Sequence, residues 1–144
     1  MITRRIAGEF KHIIDAKKRL ALPAKIRENM TETMVLVGSI FSPCIALYPM
    51  DEWEKFEERL DHLSFTDGME ARRKIYSKLT EVTCDVHGRI LIPQNLCEYA
   101  HLNRDVMVVG TGNFAEIWDI DLWDALQQKD DNEKIVAKLH DANF

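Results

Sequence analysis

Apolar and polar positions along this chain switch between two periods, and the same succession of switches occurs twice. Alternation near period two, rich in β-branched residues, predicts strands over residues 10–14, 19–22, 34–38 and 44–48. The pattern returns over residues 79–84, 89–92, 105–110 and 114–118. Pro23 and Pro93 each end a strand and open a short helix, residues 24–30 and 94–100, because proline fixes φ and has no N–H to lose in a first helical turn. Ser42-Pro43 and Gly112-Asn113 mark the turns of two hairpins. Spacing of i, i+3, i+7 at Trp53, Phe56 and Leu60 predicts an amphipathic helix from Asp51, and a matching helix runs from Asp121 to Leu126. Asp51 and Asp121 suit a cap or first turn, where a negative charge meets free N–H groups. The tryptophans on these helices, Trp53 and Trp123, are read as packing residues.

The recurrence is literal at one motif. Asp15-Ala-Lys-Lys-Arg19-Leu-Ala-Leu-Pro23 returns seventy residues later as Asp85-Val-His-Gly-Arg89-Ile-Leu-Ile-Pro93. The same offset pairs Ile26 with Leu96, Leu47 with Ile117, Tyr48 with Trp118 and Trp53 with Trp123. Such self-similarity means two copies of one unit. The boundaries read as 8–56 for the first unit, 57–77 for a helical connector starting near Asp67, 78–126 for the second unit and 127–144 for a charged tail. Either unit alone is short for an independent core, so the copies are expected to share one. The tail, with Ile135, Val136 and Leu139, reads as a loose helix or a partly disordered segment.

Charge changes the picture more than composition does. The 144-residue chain has a net charge of −5. Residues 1–27 nevertheless hold eight Lys or Arg against two acids, a net of +6. Residues 51–61 are net −4 and residues 79–144 net −7. This polarity can place one attractive face for nucleic acid on an acidic protein. No apolar run approaches the roughly 20 residues of a membrane helix, and the start of the chain lacks a signal-peptide pattern, so a cytoplasmic protein is expected. Three scattered cysteines fit reduced thiols. Cys84-x-x-His87 with Cys97-x-x-x-His101 has a superficial zinc spacing. The equivalent first-copy positions, Ile14, Lys17, Arg27 and Thr31, could not bind a metal, so no metal and no cofactor is expected. Phosphate-loop, nucleophile-elbow and metalloprotease signatures are absent, so no enzyme is expected.

The Asp-x-x-x-Arg units then need a non-catalytic account. An Asp that accepts from turn N–H groups also orients an Arg four residues on. An Arg held this way presents a fork suited to phosphate or to guanine O6 and N7. Spacing alone leaves a purely structural pair open. The first copy is the stronger binding candidate, because His12, Lys17 and Lys18 surround Arg19, and Lys11 is a further DNA-binding candidate. Asp15, Asp85, Gly88 and Arg89 read as mainly structural. Gly88 suits a positive φ. Lys18 stands in its place in the first copy and implies either strain or another turn.

Asp-x-x-Gly-Arg, then apolar-x-apolar-Pro and a short helix, resembles the AbrB-like swapped-hairpin family. Two such units in one chain, with Leu47-Tyr-Pro-x-x-x-Trp53 and Ile117-Trp-Asp-x-x-x-Trp123, resemble the MraZ family of bacterial transcriptional regulators. The resemblance runs from about Gly8 to Leu126. It implies a mixed β+α fold in which the two tandem units interlace as a pseudo-two-fold double-split β-barrel with short flanking helices. It also implies a ring-shaped homo-oligomer, cytoplasmic and nucleoid-associated, with double-stranded DNA as partner. The expected targets are direct repeats in the promoter of a division and cell-wall gene cluster, including the chain's own operon, with repression the expected outcome. The family's leading DNA-contact Arg maps to Arg19. Arg4 and Arg5 lie in a short extension before the family's usual start, and either add phosphate contacts or fray. The competing expectation is an antitoxin-like interaction module that does not read DNA.

Overall fold

The computed structural model describes residues 4–144. Residues 1–3, part of the stretch read above as lacking a signal peptide, lie outside the described residues. The elements run β1 (Glu9–Ile13), β2 (Arg19–Ala21), α1 (Ala24–Arg27), β3 (Thr33–Gly38), β4 (Ile45–Pro49), α2 (Met50–Leu60) and α3 (Phe65–Tyr76). They continue β5 (Leu79–Thr83), β6 (Arg89–Leu91), α4 (Gln94–Tyr99), β7 (Asp105–Gly110), β8 (Ala115–Asp119), α5 (Ile120–Lys129) and α6 (Asn132–Asp141). The second seven repeat the order of the first seven, with α6 in the place of α3.

The strands form a six-stranded antiparallel sheet in the order β1-β7-β8-β4-β3-β5 and a two-stranded ribbon, β2-β6. Each copy keeps one hairpin of its own, β3–β4 or β7–β8, and the other pairings cross between the copies. β1 of the first copy pairs with β7 of the second, and β5 of the second pairs with β3 of the first. At the sheet centre Ala46 lies opposite Glu116, and in the ribbon Leu20 lies opposite Ile90. Both are pairs of equivalent residues, seventy apart, as a two-fold relation between the copies requires. The pairings do not close a cylinder: β1 and β5 are the edges of the larger sheet, and β1 meets β2 only through an Ile14–Leu20 bridge. A mixed β+α fold is therefore what the structure establishes.

One core serves both copies. Leu20 and Ile90, Leu22 and Ile92, Ile26 and Leu96, and Leu47 and Ile117 are all buried in it. The inward direction of Leu20, Leu22, Ile90 and Ile92 follows from strand alternation, which sends every second side chain of the ribbon to the same face. Trp53 and Trp123 are both buried, each in a smaller cluster on its own helix.

Three helix starts differ from the sequence reading, the first being α2, which begins at Met50 rather than Asp51. α3 begins at Phe65 rather than near Asp67, because the Ser64 hydroxyl accepts the Asp67 N–H at 3.2 Å and caps it. α5 begins at Ile120, capped by the buried Asp119, whose carboxylate accepts from Asp121 and Leu122. The tail forms α6, a ten-residue helix capped by Asp131, with no buried residue. Among the described residues no helix is long and apolar enough to cross a membrane.

Candidate nucleic-acid interface

Each Asp-x-x-x-Arg motif folds into the same turn. Asp15 Oδ1 accepts from the Lys17 and Arg19 N–H groups at 2.9 Å each, and Oδ2 accepts from Arg19 Nε at 2.8 Å. Asp85 repeats this with His87 at 2.8 Å, Arg89 N–H at 3.0 Å and Arg89 Nε at 2.9 Å. The Lys18 N–H donates to Asp15 O, as the Gly88 N–H does to Asp85 O, both at 3.0 Å. Donation from the Arg19 backbone N–H, from the guanidinium and from Lys17 holds the Asp15 carboxyl below its usual range against the opposing effect of desolvation. Asp85 is lowered in the same way by Arg89 and His87.

The turn demands a left-handed residue at its fourth position. Gly88 supplies φ +75, and Lys18 adopts φ +64. Of the two readings left open for Lys18, the strained residue in the same turn is the one observed. A non-glycine residue in this region costs on the order of 1–2 kcal/mol.

The ribbon gathers both arginines on one face. Arg19 is opposite Leu91 and Arg89 is opposite Ala21, while Leu20 and Ile90 between them point into the core. Arg19 and Arg89 are thus diagonal neighbours, roughly 7–8 Å apart by sheet geometry. Their side chains are 34% and 28% exposed. Each is pinned through Nε alone, and neither has a terminal nitrogen bonded among the described residues. Backbone bonds extend the ribbon by a step at both ends, Ile92 N–H to Lys18 O and Leu22 N–H to Gly88 O. The two Asp turns therefore stand at opposite ends of the ribbon. Two anchored cationic forks lie between them on a solvent-facing surface, beside the exposed Leu91.

The other basic residues spread out. Lys17 is exposed on the first turn. Lys11 and His12 follow each other on β1 and so point to opposite faces of it. Arg5 is exposed and lines a shallow pocket with Lys25, Glu28 and Asn29. Arg4 is committed elsewhere: Nε donates to Asn29 O at 2.8 Å and Nη1 pairs with Asp51 at 2.6 Å. That pair ties the N-terminus to the start of α2. It holds the Asp51 carboxyl low, chiefly by donation from Arg4. Cys44 and Cys97 are buried, Cys84 is half-buried, and all three are free thiols. Among the described residues no three His, Cys, Asp or Glu side chains gather as a metal site.

The sequence that builds this geometry matches a known family. The profile described as "MraZ protein, putative antitoxin-like" matches the chain twice, over residues 6–74 and 75–143. The chain belongs to the MraZ family. The matched segments include α3 and α6. Among its relatives is the transcriptional regulator MraZ of Pelotomaculum thermopropionicum, 40% identical over 95% of this chain and 97% of the relative. The protein of the same name from Clostridium tetani is 36% identical over 92% and 94%. That of Desulfitobacterium hafniense is 44% identical over 81% and 82%. MraZ is a family of transcriptional regulators, not of enzymes.

Two features of the interface escaped the sequence reading. Arg89 faces the same way as Arg19, which only the cross-copy register reveals. Arg27 lies over Gly88, a contact between residues 61 positions apart. A trace of the second was visible, because the offset aligns Lys18 with Gly88 and Arg27 with Cys97, two reciprocal exchanges of large for small.

Proposed function

We propose that the protein is a sequence-specific DNA-binding transcriptional regulator that reads the major groove with the β2–β6 ribbon. The observation that carries this is the pair of anchored arginines on one exposed ribbon face. The major groove, about 12 Å wide, admits a two-stranded ribbon, and an Arg fork is the commonest reader of guanine O6 and N7. Arg19 is the base-reading residue. Lys17 and Lys18 contact phosphates beside it, with Arg5, Lys11 and His12 as outlying positive charge. Arg4 is set aside from direct contact by its ion pair with Asp51.

The wider reading follows the relatives, which are named as transcriptional regulators. In it the two copies are interlaced hairpins of the AbrB-like kind, and the exchange of β1 and β5 between copies supports this. The protein acts as a homo-oligomeric ring on direct repeats in the promoter of a division and cell-wall gene cluster, its own operon included, as a nucleoid-associated repressor in the cytoplasm. A ring repeats one ribbon at fixed spacing, so modest contacts multiply into tight binding. That accounts for a chain of net charge −5 holding DNA.

Arg19→Ala tests the assignment by fluorescence anisotropy on the chain's own upstream DNA. A loss of roughly 1–3 kcal/mol per contact, with relaxed base preference, is expected. Unchanged operator binding by the folded variant sinks the assignment. The second reading, an interaction module of antitoxin type, has the family's antitoxin-like description in its favour. Salt separates the two, since phosphate-mediated binding weakens steeply as salt rises.

A further inference from the structure

The two Asp turns acquire a cation by different routes. At the first, Lys18 itself occupies the left-handed position. At the second, glycine stands there and Arg27 of α1 lies over it. A Cβ built on Gly88 would sit 3.1 Å from Arg27 Cζ and 3.6 Å from Arg27 Cδ. Residues 27 and 97 are equivalents under the seventy-residue offset, and so are 18 and 88. Lys18 with Cys97 in one turn is therefore answered by Gly88 with Arg27 in the other. Where the turn residue is long the helix residue is short, and the reverse.

The electrostatics of the nearby thiols agree. Burial pushes the Cys97 thiol up and Lys18 opposes it, while burial pushes Cys84 up and Arg27 opposes it. Arg27 is exposed. Among the described residues no carboxylate lies within salt-bridge distance of it, and its side chain's one hydrogen bond is a long one, Nη1 to Leu22 O at 3.4 Å.

We propose that Arg27 is a DNA-phosphate contact of the second turn, supplied by the first copy, so that the ribbon carries a cation at each end. The proposal rests on the ribbon being the DNA interface and extends its phosphate contacts beyond the first-copy loop. From Lys18 to Leu22 the ribbon spans four steps, roughly 13 Å at about 3.3 Å each. That span is close to the width of the major groove, whose edges are the two phosphate backbones. A cation at each end meets one backbone, while Arg19 and Arg89 face the bases between. The guanidinium suits this because it offers several donors in a plane and stays charged at every relevant pH.

The test exchanges the two solutions. Full-length wild type, R19A, R27C, G88K/R27C and G88Q/R27C are titrated against the upstream DNA and a shuffled duplex across a salt series. Thermal melts confirm that each is folded. R27C is expected to weaken binding to both duplexes alike and to flatten the slope of log affinity on log salt by about 0.9 for each bound chain. G88K/R27C rebuilds the Lys18 and Cys97 arrangement and is expected to restore both; G88Q/R27C restores neither. An unchanged slope for folded R27C, in an experiment where R19A loses operator affinity, overturns the proposal and leaves the ribbon reading standing. Rescue by the glutamine variant equal to that by lysine also overturns it, because packing rather than charge would then be at work. A wild type with no salt-dependent binding overturns the ribbon reading itself, and this proposal with it.

Discussion

Lys18 and Gly88 hold the same left-handed backbone, and only one of them is free of a Cβ. Gly88→Ala meets both backbone strain and the Arg27 guanidinium. It is expected to destabilise by about 1–3 kcal/mol, which differential scanning calorimetry would read as roughly 2–4 °C per kcal/mol for a chain near this size. Lys18→Gly removes strain of about 1 kcal/mol, much of which the looser unfolded chain offsets. Its melting temperature should hold or rise slightly while DNA affinity falls. The Asp turns also set a pH dependence. Both carboxyl pKa values are lowered by folding, so the stabilisation is complete above the usual carboxylate range and disappears as pH falls through the lowered values. The gap in melting temperature between wild type and Asp15→Asn should be constant near neutrality and shrink below pH 3.8, the ordinary value. A gap of the same size in acid would count against the turn as described. At this scale the sequence was legible where a motif carried its own partners, as Asp15 does for Arg19. It left only a trace where the partner came from the other copy, as with Arg27 over Gly88.

Strands were the most legible elements, because alternation of buried and exposed positions is local; β7 lies where the pattern put it, and the others shift by a residue or so. Helix starts were less so, because their caps are not always adjacent. The N-cap of α2 is Pro49, which offers no side-chain acceptor. Thr31 serves instead from 19 residues away, accepting the Met50 N–H at 2.8 Å while its hydroxyl donates to Thr33 O. In the second copy Asp119 does the work directly. Asp119→Ala removes two acceptor contacts and is expected to cost about 0.5–2 kcal/mol. Thr31→Ala should cost about 0.5–1.5 kcal/mol. Urea titrations would show both as lower midpoints with unchanged slope, and a neutral Asp119→Ala would mean that neighbouring residues or water hold α5 without it.

The residue pattern marked the β3–β4 and β7–β8 hairpins by their turns, but not the pairing between copies, because a register between distant strands leaves no periodic mark in either. The repeat implied a shared core, and the topology shows how completely it is shared. Neither copy holds more of the sheet by itself than one hairpin, β3–β4 or β7–β8: β1 has only β7 as a full strand partner in the large sheet, and β5 has only β3. The ribbon has one strand from each copy, and the central β4–β8 seam joins equivalents. Unfolding one copy would therefore expose the buried faces of both, including Leu47 and Ile117, each fully covered. That cost makes a half-folded chain unfavourable and predicts one cooperative transition. Two variants report on the halves separately. Trp118→Phe with Trp123→Phe leaves Trp53 of the first copy, and Trp53→Phe leaves the other two. Each is compared with backbone circular dichroism on the same sample, so that any loss from the substitution itself cancels. Fluorescence and dichroism should give the same urea midpoint within each variant. Separate midpoints would mean that each copy keeps a core of its own, and the exchanged strands would then be an ornament on two domains rather than the fabric of one.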